Sequence, residues 1–326
     1  MKLFKLLKSI IPNKQKQIVK SYIYNHSPFR FDFRQDKNLN SLKRKINLYF
    51  LIFPLKRKAF IKEINFLNRE AKQSHSFSFI FPYSFVFNYD FDHIYVNKDD
   101  VKGLYYVIHK GKRLYYSRDY KSALAVKESY SCISIEQDKK SPHRYIDENF
   151  NVEENDVVID IGAAEGNFSL EVVERVNTLF IFETNINWIE ALNATFEPWK
   201  EKVHIINKYI SNIDNDKCAT LYSLFKDISI NFIKMDVEGA EVLILKNLEK
   251  LLASNSVIKL ALCTYHSKND AKTITEILTD NKFHYSFSNG YMLFIYSILT
   301  PPYFRKGLVR AQKIYMNEEL QTVSFT

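Results

Sequence analysis

Asp156-Val-Val-Ile-Asp160-Ile161-Gly162-Ala163-Ala164-Glu165-Gly166-Asn167-Phe-Ser-Leu-Glu-Val-Val-Glu174 is the stretch whose reading decides the fold. Residues 156–161 are a short apolar run of the kind buried on both faces in a parallel sheet. The glycine turn 162–166 follows, and then a helix-patterned segment from Asn167. A second apolar run, Thr178-Leu-Phe-Ile-Phe-Glu183, completes a strand-helix-strand unit with a carboxylate at the tip of its second strand. Glu183 stands 21 positions after Gly162, the spacing at which an acid meets a ribose diol.

Two nucleotide-type cofactors use such a unit. A dinucleotide asks for Gly-x-Gly-x-x-Gly/Ala, in which the second glycine lets the backbone approach a pyrophosphate. Ala164 and Asn167 depart from that pattern, so a phosphate cradle is disfavoured. S-adenosylmethionine carries no phosphate, and needs close backbone approach, a ribose-binding acid and an adenine slot. The candidate cofactor residues are therefore Asp160, Gly162, Ala163, Ala164, Glu165, Gly166, Asn167, Glu183 and Thr184, with Asn207 for the adenine side.

Asp160-Ile-Gly-Ala-Ala-Glu-Gly166, Glu183 and Ile233-Lys-Met-Asp236-Val-Glu238-Gly239-Ala240-Glu241 together resemble the FkbM-type family of class I S-adenosylmethionine-dependent methyltransferases. The resemblance spans roughly residues 150 to 300 and is most specific at Asp236–Glu241. It implies O-methyl transfer to hydroxyls, often those of sugars or polyketide-like acceptors. Thr184 stands where the family usually has proline, but the acid before it is kept. The fold class expected is α/β: a Rossmann-like class I methyltransferase sheet, mostly parallel and ending in an antiparallel hairpin, with an N-terminal α+β extension.

Further strands are expected over 202–207, 231–236 and 256–264, with helices near 188–196, 240–252 and 268–280. Asn289-Gly290, between Phe283–Ser288 and Tyr291–Tyr296, is a strong two-residue hairpin signal. In an open parallel sheet the ligand lies at the carboxyl ends of the strands, where Asp160, Glu183, Asp236 and His266 can converge. A sulfonium methyl is already activated, so the protein must aim the acceptor and remove its proton. His266 is the first candidate base by intrinsic pKa, followed by Asp236 and Glu238; the competing readings are a surface histidine and a structural acid beside Gly239. Asp236 and Glu238 could also hold a divalent cation, but two acids on one loop do not make a metal site, and none is assigned. The fourth-strand motif lacks the Asn/Asp-Pro-Pro-aromatic form that holds a planar amino nitrogen, which disfavours methylation of bases.

Ahead of this unit, residues 38–72 read as two helices broken near Pro54, with Phe60, Ile61, Ile64 and Leu67 on a buried face. Aromatic residues at odd positions from Phe77 to Phe91 have the period of a strand, either packing a small sheet or stacking on sugar rings. Leu104–Lys110 and Lys112–Ser117 form a hairpin about Lys110-Gly111. His109 and His143 have no partner pattern and read as packed or surface residues. Four segments are expected: a basic amphipathic N-terminus (1–36), an α+β accessory domain (37–145), the cofactor-binding domain (146–300) and a tail (301–326), helical further on.

Composition bounds the rest. The chain has 326 residues, 46% hydrophobic and 25% charged, enough to build a core. Residues 1–60 hold fifteen Lys/Arg against Asp32 and Asp36, a local +13 that leaves about −4 for the remainder of a chain whose net charge is +9. This asymmetry points to an anionic surface. In residues 1–20, Leu3, Phe4, Leu6, Leu7, Ile10 and Ile11 oppose Lys2, Lys5 and Lys8; this short helix either docks on its own domain or lies in an anionic membrane interface, at the inner face of the membrane. The longest apolar run, Leu48 to Leu55, falls far short of the ~20 residues of a membrane span. No signal peptide is read from Met1-Lys-Leu-Phe-Lys, and three scattered cysteines suit a reducing cytosol. The expected partner is a small-molecule or glycan acceptor bearing a hydroxyl. Nucleic acid is not expected, although an RNA- or membrane-docked interaction protein with an idle methyltransferase fold is the alternative reading.

Overall fold

A seven-stranded sheet built from apolar strands organises the molecule. The computed structural model describes residues 36–72, 75–89, 91–248, 251, 257–295 and 299–314. The candidate amphipathic segment at 1–20 lies outside the described residues, as does the part of the tail beyond 314, while the tail up to Ile314, expected to turn helical, is a strand from Leu308.

Strand β1 (Val96–Asp99), β2 (Leu104–His109) and β3 (Lys112–Tyr115) form a small antiparallel sheet, as the hairpin reading expects. Lys110 and Gly111, with φ of 49° and 82°, make the tight turn. The two longest helical segments ahead of it are α1 (Asp36–Ile52), followed by a single helical turn over Pro54–Arg57, and α2 (Ile61–Arg69). Ile64, Phe66 and Leu67 are buried on α2, whereas Ile61 is exposed. Helix α3 (Ala123–Glu136), capped by the Ser122 hydroxyl accepting from the Ala125 amide, then leads to the main sheet.

The main sheet comprises β4 (Val157–Ile161), β5 (Thr178–Phe182), β6 (Val203–Ile206), β7 (Phe232–Met235), β8 (Val257–Cys263), β9 (His284–Phe287) and β10 (Leu308–Ile314). Their spatial order is β9-β10-β8-β7-β4-β5-β6, and only β10 runs antiparallel to its neighbours. Helices α4 (Asn167–Val172), α5 (Ile186–Phe196), α6 (Glu241–Leu245) and α7 (Asp270–Asp280) connect the strands. The chain steps outward from β4 to β6 and then returns to the other side of β4 with β7. That reversal opens a crevice at the carboxyl ends of β4 and β7. Ile161 pairs with Met235 in register, so Gly162 and Asp236 leave the sheet side by side.

Two expectations change. The run from Phe77 to Phe91 is not a strand: Phe77–Ile80 is α-helical and Ser84–Asn88 is a 3₁₀ segment. Phe77, Phe81 and Phe85 pack in series across the break at Phe81, with centroids 6.2 Å and 6.4 Å apart and all three rings buried. The antiparallel ending is present, but its second strand is β10 rather than 291–296, so part of the expected tail belongs to the sheet. Residues near 291 are drawn away: the Tyr291 amide donates to the Tyr83 hydroxyl at 2.7 Å and the Leu293 amide to the Ile80 carbonyl. Leu293 is then buried with Leu39, Ile46, Phe50 and Phe304, so these α1 residues and the segment before β10 share one core. Contacts group the described residues from Lys37 onward as one unit.

Candidate active site

The turn after β4 is shaped by its backbone. Gly162, Ala164 and Gly166 take φ of 77°, 48° and 79°. A side chain at Gly162 would have its Cβ 2.0 Å from the Asp236 carbonyl oxygen, so the two strand tips touch backbone to backbone. Lys234 locks this contact: from β7 its ammonium donates to the Gly162 carbonyl at 2.7 Å and pairs with Asp160 Oδ1 at 2.9 Å. Asp160 is wholly buried and takes the Ser169 hydroxyl at 2.7 Å on its other oxygen. Both carboxylate oxygens of Asp160 are thus spent inside the protein, tying β4 to α4 and β7; it positions the turn and does not face the crevice. Burial pushes the Lys234 ammonium downward, yet Asp160 and then Asp236 outweigh this and hold its pKa above the ordinary value.

Glu183, at the tip of β5, accepts from three backbone amides: Ala164 at 2.9 Å, Thr184 at 2.7 Å and Asn185 at 2.8 Å. A carboxylate offers about four lone-pair sites, so one remains to receive a hydroxyl. The expected pair of backbone approach and acid is therefore assembled within one hydrogen bond, Ala164 to Glu183. Ala163 lies buried in the turn, Asn167 opens α4, and Glu165 is buried beside Tyr116. Asn207 donates to the Glu183 carbonyl at 2.9 Å, bracing the acid's backbone. The arrangement fits a ribose-bearing ligand without a pyrophosphate: Ala164 occupies the position where a phosphate cradle needs a second glycine.

Asp236 is the hub of the other half. Its Oδ2 accepts the Tyr145 hydroxyl at 2.8 Å and lies 3.5 Å from His143 Nε2, while Oδ1 accepts from Tyr265 at 3.2 Å and lies 3.4 Å from His266 Nε2. Burial pushes its carboxyl upward, but His143, His266 and Lys234 outweigh this and hold it well below the usual carboxylate range. Burial, reinforced by Asp236, keeps the phenols of Tyr145 and Tyr265 protonated and able to donate. Glu241, in the first turn of α6, accepts from the Val237 amide at 3.0 Å and faces His266 Nδ1 at 3.1 Å. Glu238 is exposed, on a left-handed backbone (φ 57°) beside Gly239, a conformation that bulky residues adopt at a cost.

His266 is brought to the site but not as a base. Burial alone would lower its pKa, yet Glu241 first, then Asp236 and Glu238, raise it to about 9. At neutral pH it is an imidazolium with a carboxylate toward each ring nitrogen, and has no lone pair to take a proton. Its folded pKa lies above the unfolded 6.5, so its contribution to stability is complete below about pH 6.5 and is lost as pH rises through about 9. Chemical unfolding measured from pH 6 to 10 should show this decline, and His266→Gln should flatten it; an unchanged slope in the variant would remove His266 as its source.

His143, which carries no signal in the sequence, also reaches this site. The loop 141–145 is clamped by β10 and the residues leading into it: Arg310 donates to the carbonyls of Arg144 and Tyr145, and the Pro142 carbonyl packs against the backbone of Gly307. The clamp carries His143 and Tyr145 to Asp236, and His143 Nε2 also meets Tyr265 Oη at 3.0 Å and Cys263 Sγ at 3.7 Å. Two trios, His143/Asp236/Cys263 and Asp236/Glu241/His266, bring donor atoms within 4.8 Å of one another. In both, the groups face one another as hydrogen-bonding and charge partners. No helix among the described residues is long and apolar enough to cross a membrane.

Comparison with known proteins adds the family. The model of the Methyltransferase FkbM domain matches residues 109–288. The solved FkbM methyltransferase from Methylobacillus flagellatus KT is 16% identical with a TM-score of 0.39, over 49% of this chain and 44% of that one. The match thus spans less than half the length of that protein. A putative tRNA (m1A22) methyltransferase from Streptococcus pneumoniae in complex with S-adenosyl-L-methionine is 16% identical (TM-score 0.33, 51% of this chain, 69% of that one). A putative methyltransferase from Streptococcus mutans in complex with SAH is 14% identical (TM-score 0.35, 50% and 91%). No curated protein matches the chain. The family match takes in more than half of the residues, and the chain belongs to the FkbM methyltransferase family.

Proposed function

We propose that the protein is an S-adenosylmethionine-dependent O-methyltransferase acting on a hydroxyl of a sugar or related metabolite. The observation that carries this reading is the junction of two half-sites: the Gly162–Gly166 turn with Glu183 on one side, and Asp236 directly across the Gly162 backbone on the other. S-adenosylmethionine held there would supply an activated methyl suited to in-line displacement. The turn admits its methionyl part at backbone distance, Glu183 holds the ribose hydroxyls, and Asn207 stiffens the tip that carries Glu183.

On the acceptor side, Asp236 stays charged and, with its oxygens taken up by Tyr145, His143, Tyr265 and His266, holds these side chains in place around the hydroxyl. Glu238, exposed on its constrained turn, takes the proton. His266 offsets the charge of three carboxylates and keeps them together. A carboxylate pair suits a hydroxyl acceptor better than the amino nitrogen of a base, consistent with the absence of the Pro-Pro-aromatic element after β7.

Calorimetry with S-adenosylmethionine, S-adenosylhomocysteine and NAD tests the cofactor; tight NAD binding with no S-adenosylhomocysteine binding sinks the reading. Glu183→Ala should weaken S-adenosylhomocysteine about 10- to 100-fold, the worth of hydrogen bonds to a charged group, and an unchanged affinity takes Glu183 out of the ribose role. Radiolabelled methyl transfer to sugar acceptors should fall in Glu238→Gln with cofactor affinity kept; label found in base nitrogen instead would overturn the acceptor class.

A further inference from the structure

The end of α1 breaks the rule for a surface helix. Leu39, Ile46 and Phe50 form its buried stripe, so the opposite face should be polar. Arg44 and Lys45 obey, but Leu48, Leu51 and Ile52 are 57%, 77% and 61% exposed. The turn beyond continues the patch with Phe53 and Leu55, the latter 93% exposed. Single exposed apolar residues are ordinary, whereas five gathered at one tip mark an interaction surface.

Charge says what covers it. From Lys37 to Lys62 the sequence has eight Lys/Arg and no acid, and Lys56, Arg57 and Lys58 are exposed beside the apolar tip. The Lys56 ammonium stands 5.2 Å from the Phe53 ring centroid, holding a cation at the edge of the patch. A second copy of the chain would meet this face with the same positive charge. A nucleic acid would use the cations but leave Leu51 and Leu55 in water. An apolar tip ringed by Lys/Arg matches the boundary between acyl chains and anionic headgroups.

We propose that Leu48–Lys58 is an interfacial docking surface for an anionic lipid bilayer. The apolar tip enters the acyl boundary and Lys56, Arg57 and Lys58 meet the headgroups. The run is too short to span, so the chain lies on the bilayer. The anchoring face is tied to the core: Phe50 on the other side of α1 packs 6.1 Å from Phe304, and Arg305 next to it donates to the carbonyls of Tyr265 and His266.

Co-sedimentation of the full chain with phosphatidylcholine vesicles, with and without phosphatidylglycerol, tests this. Binding is expected with phosphatidylglycerol, weakened by salt, and reduced at least about tenfold by Leu51→Asp/Leu55→Asp and by Lys56→Glu/Arg57→Glu. Both variants change exposed residues, and an unaltered unfolding transition verifies their fold. Leu6→Asp/Leu7→Asp, in the other candidate segment, should keep most of the binding. The proposal is overturned by binding that survives Leu51→Asp/Leu55→Asp, by loss confined to Leu6→Asp/Leu7→Asp, or by equal binding to vesicles without phosphatidylglycerol. Absence of vesicle binding together with a dimer that Leu51→Asp/Leu55→Asp dissociates would assign the patch to a second copy instead.

Discussion

Lys234→Ala should cost the fold about 3–5 kcal/mol, because removing one partner of a buried ion pair strands the other charge. Asp160 would keep only the Ser169 hydroxyl in a site with no solvent access, and the Gly162 carbonyl would lose its 2.7 Å donor. The double variant Lys234→Met/Asp160→Asn separates the two effects. The amide introduced in place of the Asp160 carboxylate can still accept from Ser169 and carries no charge, so most of the stability should return. Cofactor affinity should not, since the Gly162 carbonyl that Lys234 anchors stays unheld. Denaturant unfolding and S-adenosylhomocysteine calorimetry on the two variants decide this. A stability loss under about 1 kcal/mol in Lys234→Ala would show that water reaches Asp160 and that the pair is not the lock described.

The central sheet is legible in the sequence because each parallel strand, buried on both faces, is a short apolar run between turn residues, and the glycine turn after β4 has few alternatives. The acids at the strand tips follow from the same logic, since parallel strands put their carboxyl ends on one edge. Elsewhere local signals lose to tertiary ones. Asn289-Gly290 is a strong local hairpin signal, but the Tyr83 hydroxyl captures the Tyr291 amide and Leu293 is worth more in the α1 core than in the sheet. The aromatic alternation has the period of a strand, and tertiary packing overrides it, giving a helical turn over Phe77–Ile80 and a 3₁₀ segment over Ser84–Asn88. His143 is invisible to sequence reasoning because its approach to Asp236 depends on Arg310 and Gly307, more than 160 positions later. The intrinsic pKa of His266 points to a base, and three carboxylates around one imidazole reverse that expectation. A charged residue inside the otherwise apolar Phe232-Ile-Lys-Met is the sequence signal for Lys234, and its meaning emerges only with Asp160 opposite.

Gly162→Ala is expected to be nearly as damaging and to act at the junction itself. Its φ of 77° costs an alanine about 1 kcal/mol or more. Steric contact costs more: the new Cβ would lie 2.0 Å from the Asp236 carbonyl oxygen and 3.0 Å from its carbonyl carbon. Neither neighbour is a side chain that can swing away, because Asp236 N–H donates to the Ile161 carbonyl and the strand behind it is wholly buried. Relief requires parting β4 and β7 at their tips, which moves the Ala164–Glu183 hydrogen bond and Asp236 together. We expect a stability loss of about 3–4 kcal/mol, with S-adenosylhomocysteine binding abolished in whatever fraction folds. Gly111→Ala is the control for backbone strain alone: its φ is 82° but a Cβ there meets nothing within 4 Å, so the loss should stay near about 1 kcal/mol with cofactor affinity intact. Equal losses in the two variants would mean that φ alone sets the cost and that the two half-sites are not in contact through Gly162. A large loss at Gly162 alone would locate the coupling of cofactor turn and acceptor carboxylate in that one backbone approach.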